Sequence, residues 1–248
     1  MGYNKTPSFY EDQEFFDNFL GNTSYYAALQ RVIHKLIRLS ESYSVLELGC
    51  ALGTTMNALA ASYPSVGFTG VDNRADVIEE ARAVAGTNTN YVAADMCDVV
   101  KVVLDYDLIY MLYSFHHIED PLQKKITFLK DCYRNMMPGA HIVIAETFLP
   151  EASTISELWD QRAAEGYAST FWSSLEGLTQ DDISAAISAA DTCAVNEVEA
   201  GKLVDKRENE YLVKVSWLVS MLKDVGFTIV AQHPVNCVND WVIVARKE

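Results

Sequence analysis

The sequence predicts an α/β protein with an open sheet of seven strands, mostly parallel, and helices on both faces. Short apolar runs alternate along the chain with segments that repeat apolar residues at helical spacing, which is typical of a parallel sheet. The last two expected strands are joined by a short polar connection. That connection is too short for a crossover helix, so it indicates an antiparallel hairpin.

The parallel strands are expected at 44–48, 66–71, 90–94, 108–112 and 141–147, and the hairpin strands at 227–233 and 240–246. Helices are expected at 25–37, 54–62, around 78–82, 121–137 and 218–225. The fourth helix stops at Pro138 and Gly139 and the last at Gly226, residues that commonly follow helix ends. The apolar face of the fourth helix is expected to comprise Leu122, Ile126, Leu129, Tyr133 and Met136.

The composition argues against several kinds of partner. The 248 residues carry 34 acids against 19 bases, a net charge of −15, which repels phosphate backbones and anionic lipids. The five cysteines are widely spaced without a CxxC pair, so we expect reduced thiols and no metal site. There is no signal-peptide pattern and no apolar run of ~20 residues. We therefore expect a cytoplasmic protein without nucleic-acid or membrane partners.

A glycine-spaced loop follows the first strand, in the stretch VLELGCALGTT from Val45 to Thr55. A dinucleotide-binding turn requires G-x-G-x-x-G, whose later glycines are replaced here by Ala51 and Thr54. No Gly-Lys-Ser/Thr follows, which argues against a phosphate loop. The pattern is E-x-G-x-x-x-G, and an alanine at position 51 is tolerable if its φ angle is negative.

Acidic or apolar site candidates then stand at the ends of four successive strands, although any single one is more often a helix cap or a turn. In this order, the chain resembles class I S-adenosylmethionine-dependent methyltransferases of the small-molecule, natural-product type. The resemblance is close over about 43–147 and implies a Rossmann-like sheet. It also implies a cofactor site formed by Tyr26, Glu47, Gly49, Cys50, Gly53, Asp72, Asn73, Asp95, Met96, Met111 and Leu112.

Within that site, the resemblance implies a role for each position. Glu47 would take the ammonium group of the cofactor, and the helix start at Thr54 would offer N–H groups to its carboxylate. Asp72, with Asn73, would accept the ribose hydroxyls. Asp95 and Met96 would contact the adenine, and Met111 and Leu112 the methionine arm.

Candidate catalytic residues follow the fourth and fifth strands. His116 and His117 lie in YSFHHIED and Glu146 in IAETF, an arrangement similar to O-methyltransferases of the same class. A histidine can act as a general base near neutral pH, and a nearby carboxylate orients its ring. Two readings stay open: one histidine could be purely structural, and no base is needed if the acceptor loses its proton readily. A metal site is the weaker reading, because no third ligand has suitable spacing.

The chain is expected to form one domain over 1–248, with an N-terminal helical cap at 1–40 and a cofactor-binding core at 41–149. A helical lid at 150–210 would lie over the ligand crevice, because it follows the end of a strand, and 211–248 would form the final helix and hairpin. Aromatic side chains suit a flat or apolar small molecule. The expected substrate contacts are Tyr25, Tyr113, Trp159, Phe171, Trp172 and Trp241.

These features predict methyl transfer to an oxygen or nitrogen of a small aromatic or apolar molecule. The alternatives are an enzyme that binds S-adenosylmethionine without methyl transfer, such as one in cofactor modification, rearrangement chemistry or a tRNA-modification pathway, and a non-catalytic binding module. A nicotinamide oxidoreductase is disfavoured by Ala51 and Thr54. A homodimer stays open, since lid aromatics could pack against a second subunit.

Overall fold

The computed structural model describes residues 43–119, 122–148, 211–234 and 240–248, together with Ile33 and Lys35. The strands are β1 (Ser44–Leu48), β2 (Gly67–Asp72), β3 (Thr89–Ala93), β4 (Leu108–Leu112), β5 (His141–Thr147), β6 (Thr228–Pro234) and β7 (Asp240–Arg246). The helices are α1 (Thr54–Ser62), α2 (Ala75–Ala83), α3 (Met96–Val99), α4 (Gln123–Asn135) and α5 (Val215–Val225). A short 3₁₀ turn spans Phe115–His117.

The seven strands form one sheet in the order β3-β2-β1-β4-β5-β7-β6. Strands β1 to β5 pair in parallel, while β7 runs antiparallel to both β5 and β6. The predicted fold class and terminal hairpin are therefore confirmed. Strand β2 begins and ends one residue later than expected, and β3 one residue earlier.

The central strands β1 and β4 are largely apolar and buried on both faces because helices cover both sides of the sheet. On one face, Leu46 and Ile109 pack with Leu129 of α4 and Leu222 of α5. On the other, Val45 and Tyr110 pack with residues of α1 and α2. Burying one large apolar side chain contributes roughly 1.5–3 kcal/mol, so these two layers hold the strand ends in fixed positions.

The buried face of α4 differs from the expected one. Leu122 is exposed, and the buried positions are Lys125, Phe128, Leu129 and Cys132. Of the other expected positions, Leu129 and Met136 are buried, and Ile126 and Tyr133 are partly buried against the same core. The difference therefore lies at Leu122 and at Lys125, which the expected face did not include.

The order of the strands fixes where a ligand can bind. Strand β1 is paired on one side with β2 and on the other with β4, so the direction of the strand order reverses between β1 and β4. In open α/β sheets, ligands bind at such a point, outside the carboxyl ends of the strands. The loop after β1 and the 3₁₀ turn after β4 both begin at this edge.

Candidate functional site

The loop after β1 turns sharply through three residues with positive φ angles. These are Gly49 at 78°, Ala51 at 46° and Gly53 at 69°. The condition under which an alanine is readily tolerated at position 51, a negative φ, is therefore not met. The backbone N–H of Ala51 donates a hydrogen bond of 3.0 Å to Oδ2 of Asp72, and this bond holds the alanine in the left-handed region, which L-residues with a Cβ adopt at a cost.

Side chains from β3 and from the β4 loop occupy the space that the two glycines leave. A Cβ atom on Gly49 would clash with Cβ of Ser114, and one on Gly53 would clash with the Tyr91 hydroxyl. The Ser114 hydroxyl also donates to the Leu48 carbonyl at 2.6 Å. The glycines are thus required by close packing within the protein, which locks the loop against its neighbours.

Helix α1 starts directly after this loop. Its N-cap is Gly53, which has no side chain to cap the first turn. The N–H groups of a helix's first turn point outward along its axis and favour an anion such as a carboxylate. The predicted role of the Thr54 helix start therefore fits the geometry.

Glu47 is the most deeply buried acid next to the loop, with 3% of its surface exposed. Burial raises the pKa of its carboxyl to about 8, Tyr110 on β4 lowers it in part, and the Asp72 carboxylate raises it further. Among the described residues, none forms a hydrogen bond with its Oε2 atom. A buried carboxyl oxygen without a partner fits a cationic ligand group such as an ammonium.

Asp72 and Asp95 end their strands as expected, and both also cap backbone groups. Asp72 accepts from Ala51 through Oδ2 and from Arg74 through Oδ1, each at 3.0 Å. Asp95 caps α3 by accepting from the N–H of Cys97 at 2.7 Å. Each carboxylate oxygen has two lone pairs, so both caps leave capacity for ligand hydroxyl or amino groups.

The remaining predicted cofactor residues differ in how accessible they are. Asn73 is exposed and Met96 and Leu112 are half-buried at the carboxyl edge. The Met111 side chain is fully buried in the core face formed with α4 and α5, which leaves only its backbone for the site. Cys50 is buried against Gly70, and burial raises the pKa of its thiol, so it lines the loop as an inert thiol.

His116 and Glu146 form a buried pair at the ends of β4 and β5. Nδ1 of His116 lies 2.9 Å from Oε1 of Glu146, and the His116 backbone N–H donates to Oε2 at 3.2 Å. Both side chains are almost completely inaccessible to solvent. His117 is exposed, and its ring lies 4.0 Å from that of His116, centroid to centroid. The two neighbouring histidines therefore have different environments.

Tyr113 lies beside this pair and is held by β7. It has a positive φ of 48°, its N–H donates to the Ala145 carbonyl at 3.0 Å, and its hydroxyl donates to Oδ2 of the buried Asp240 at 2.9 Å. Trp241, the next residue of β7, pairs with Glu146. Tyr113 and Trp241, predicted independently as substrate contacts, thus lie around the same edge of the sheet.

Three residues with evident roles at this edge were not among the predicted ones: Ser114, Lys125 and Asp240. A signal for Asp240 was present, because an antiparallel final strand must begin where β5 ends. Ser114 had no such signal, since its partner Leu48 lies 66 residues away in the sequence, whereas Lys125 shares a helical face with apolar residues.

Five predicted site residues lie outside the described residues, and the lid and most of the N-terminal cap lie outside them too. These residues are Tyr25, Tyr26, Trp159, Phe171 and Trp172. In the part of the chain that the structure describes, no group of acids, histidines and cysteines could hold a metal ion. No helix within those same ranges is long and apolar enough to cross a bilayer.

Comparisons with known proteins show what this chain is similar to. Residues 45–139 match the profile of a methyltransferase domain family. Residues 45–139 are thus similar to a methyltransferase domain, the kind of domain that the sequence predicts. The glycine-spaced loop, Asp72 and the His116–Glu146 pair all lie at the carboxyl edge of the sheet, in or near the matched segment.

Among curated relatives, the caffeic acid 3-O-methyltransferase of Capsicum annuum is 31% identical over 113 residues, which are 46% of this chain and 29% of that enzyme. In the first three curated relatives, the matched region covers less than a third of the relative's length.

Solved methyltransferase structures share the fold, and two of them are compared with this chain. The methyltransferase SibL has a TM-score of 0.60 at 19% identity, over 96% of this chain and 57% of its own.

The second structure is the magnesium protoporphyrin IX methyltransferase of Synechocystis, solved with bound S-adenosylmethionine. It has a TM-score of 0.56 at 12% identity and covers 100% of this chain and 87% of its own. The shared fold thus extends beyond the matched segment, to α5 and the final hairpin.

Proposed function

We propose that this methyltransferase domain transfers a methyl group to a hydroxyl oxygen of a small aromatic molecule, with His116 as general base and Glu146 as the group that orients it. The observation that carries the proposal is the 2.9 Å contact between His116 Nδ1 and Glu146 Oε1. A carboxylate on one ring nitrogen sets the tautomer and directs the other nitrogen toward the substrate. The relatedness to O-methyltransferases favours oxygen over nitrogen.

The cofactor would be held by the loop and strand ends described above. Glu47 would bind its ammonium group, the α1 start its carboxylate and Asp72 its ribose. When bound, S-adenosylmethionine supplies a methyl group activated by a positively charged sulfur. The residues of the chain have to bring an acceptor into line with that methyl group, and such positioning accounts for roughly 7–11 kcal/mol of a barrier.

His116 would take the proton of the acceptor hydroxyl. With Nδ1 2.9 Å from the Glu146 carboxylate, Nε2 would be the nitrogen that accepts it. His116 and the residues around it would thereby present the deprotonated acceptor oxygen to the methyl group that the bound cofactor supplies. Burial of the pair keeps water away from the reacting oxygen, since both side chains are at most 3% exposed. Tyr113 and Trp241 would form part of the aromatic wall for the acceptor.

The test uses the two adjacent histidines as a matched pair. The chain is first screened with S-adenosylmethionine and a panel of phenols, catechols and aromatic amines, with formation of S-adenosylhomocysteine as the readout. With the best acceptor, His116→Gln is expected to lower kcat by about 10²–10⁴-fold, while the cofactor Kd stays within threefold. Glu146→Gln should lower kcat less, and the exposed His117→Gln should leave it nearly unchanged.

Two results would contradict the proposal. If His117→Gln lowers kcat and His116→Gln does not, the base has been assigned to the wrong histidine. If only amine acceptors are methylated, the oxygen assignment is wrong. Binding of S-adenosylmethionine without methyl transfer to any acceptor class would favour an enzyme that uses the cofactor differently.

A further inference from the structure

Helix α4 contains a lysine without any solvent-exposed surface. Lys125 is 0% exposed, whereas the next residue toward the N-terminus, Lys124, has 58% of its side chain exposed and pairs with Glu119 at the surface. Lysine is almost never fully buried unless polar groups or charges receive its ammonium. The methyl-transfer chemistry proposed above does not use Lys125, so its burial requires another explanation.

Among the described residues, the ammonium contacts two chain segments. Nζ of Lys125 donates a hydrogen bond of 2.5 Å to the carbonyl of Ile118. It also lies over two aromatic rings, 5.0 Å from the centroid of Phe115 and 6.0 Å from that of Tyr211. Cations over aromatic rings are attracted by the ring quadrupole, and more strongly when water is excluded. Lys125 therefore joins α4 to the segment 115–118 and to Tyr211.

The segment 115–118 is the one that carries His116. Phe115 and Ile118, which bracket the two histidines, both contact Lys125. The His116 carbonyl accepts a hydrogen bond of 2.8 Å from the N–H of Tyr211, the third residue in contact with the lysine. The other end of the His116 backbone is held by its N–H bond to Glu146. The lysine thus contacts the groups on both sides of His116 along the chain, and the residue that holds its carbonyl.

We propose that Lys125 is a positioning residue for His116. Its ammonium, bound to the Ile118 carbonyl and packed against the Phe115 and Tyr211 rings, fixes the 3₁₀ turn so that Nδ1 of His116 stays 2.9 Å from Glu146. The catalytic consequence rests on the proposed function. A displacement of about 1 Å in a catalytic group can lower a rate 10²-fold, so a turn of three residues at the end of a strand needs such support.

The experiment compares Lys125→Met, Lys125→Arg and the control Lys124→Met, which makes the same change on the exposed face of the same helix. Two readouts are taken. The first is kcat together with the cofactor Kd. The second is the side-chain NMR spectrum of ¹⁵N-histidine-labelled protein, in which the His116 signals, among five histidines, are assigned by their loss in His116→Gln. The NMR readout does not depend on methyl transfer.

Lys125→Met is expected to lower kcat about tenfold or more, to change the cofactor Kd by less than threefold, and to shift the His116 Nδ1 signal. Lys124→Met should change none of these. Lys125→Arg, which keeps a cation and a donor, should recover a large part of kcat and of the signal. An unchanged His116 signal in folded Lys125→Met would overturn the proposal, and so would equal losses in the Met and Arg variants.

If Lys125→Met does not fold, the variant Tyr211→Leu tests whether the contacts of Lys125 position His116. It removes one of the two rings but keeps the backbone N–H that holds His116. A shifted His116 signal with lower kcat supports the proposal, and an unchanged signal overturns it. If His116→Gln keeps full activity while Lys125→Met still shifts the His116 signal, the base assignment fails but the positioning of the turn by Lys125 stands.

Discussion

The buried carboxyl of Glu47 is expected to make the free energy of unfolding depend strongly on pH. This carboxyl lies fully buried beside the cofactor loop, and its pKa is raised from 4.5 to about 8, chiefly by burial. In the unfolded chain the same group titrates near its usual value. Between the two pKa values, the folded state keeps a proton that the unfolded state has lost. The free energy of unfolding must therefore fall as the pH rises through this interval.

The folded and unfolded pKa values differ by about 3.5. Titration across this interval lowers the free energy of unfolding by about 5 kcal/mol in total. The group contributes its full stability below pH 4.5 and has lost nearly all of it above pH 8. Between pH 5 and pH 8, the expected loss is about 3.5 kcal/mol. This is a substantial share of the ~5–15 kcal/mol by which domains are stable.

The perturbation is Glu47→Gln, which keeps the shape of the side chain and removes its titration. Urea unfolding of the cofactor-free protein at pH 5, 6, 7 and 8 gives the free energy of unfolding for both proteins. A buried amide could lack a partner at a cost of ~1–3 kcal/mol, but that cost is the same at every pH. The measured quantity is therefore the slope, and the exposed Glu80→Gln serves as the control.

Between pH 5 and pH 8, the free energy of unfolding of Glu47→Gln is expected to rise by about 3.5 kcal/mol relative to that of the wild type. The pH curve of Glu80→Gln should run parallel to the wild-type curve. If the wild-type and Glu47→Gln curves run parallel, Glu47 titrates normally and the reasoning is refuted. A second consequence follows if Glu47 binds the cofactor ammonium. Binding at pH 7 should then release close to one proton, which calorimetry in buffers of different ionisation enthalpy measures.

Three further predictions concern the loop and its neighbours. Asp72→Ala should remove most of the affinity for S-adenosylmethionine, measured by calorimetry, and lower the free energy of unfolding by ~1–3 kcal/mol through two lost backbone bonds; an unchanged Kd would contradict the ribose role. Ala51→Gly should raise that free energy by up to about 1 kcal/mol in urea unfolding, because φ is positive there; destabilisation would contradict it. Tyr113→Phe leaves the buried Asp240 without its phenol donor and should destabilise by ~1–3 kcal/mol, and a thermal midpoint equal to the wild type would contradict this.

The fold was predictable because its signals are local. Strands β1 and β4 are short, largely apolar runs, and Gly226 follows the end of α5 as expected. Helix α4 ends at Asn135, two residues before the end expected from Pro138–Gly139. The loop conformation was less predictable. The spacing of Gly49 and Gly53 indicated close approach, but not that Ser114 and Tyr91 are what approaches. That information lies in the register between distant strands, which no local pattern contains.

The candidate site shows the same division. The sequence placed two adjacent histidines near Glu146, yet which of them faces the carboxylate depends on the 3₁₀ turn at 115–117, which no apolar periodicity predicts. Lys125 shares a helical face with Phe128, Leu129 and Cys132. The helical spacing alone therefore places Lys125 on the buried face. The sequence analysis did not include it because a lysine is ordinarily assigned to the surface.

The carboxyl edge of the sheet concentrates acids, and this has a consequence for the cofactor. Glu146 and Asp240 are buried there, Asp72 and Asp95 lie at the same edge, and the chain has a net charge of −15. Such an edge attracts a ligand with a net positive charge. S-Adenosylmethionine carries a sulfonium charge that S-adenosylhomocysteine lacks. The acids therefore favour binding of S-adenosylmethionine through an electrostatic attraction that salt screens. Raising the ionic strength should therefore weaken S-adenosylmethionine binding more than S-adenosylhomocysteine binding, and an equal salt dependence of the two Kd values would mean that these acids are neutralised within the protein.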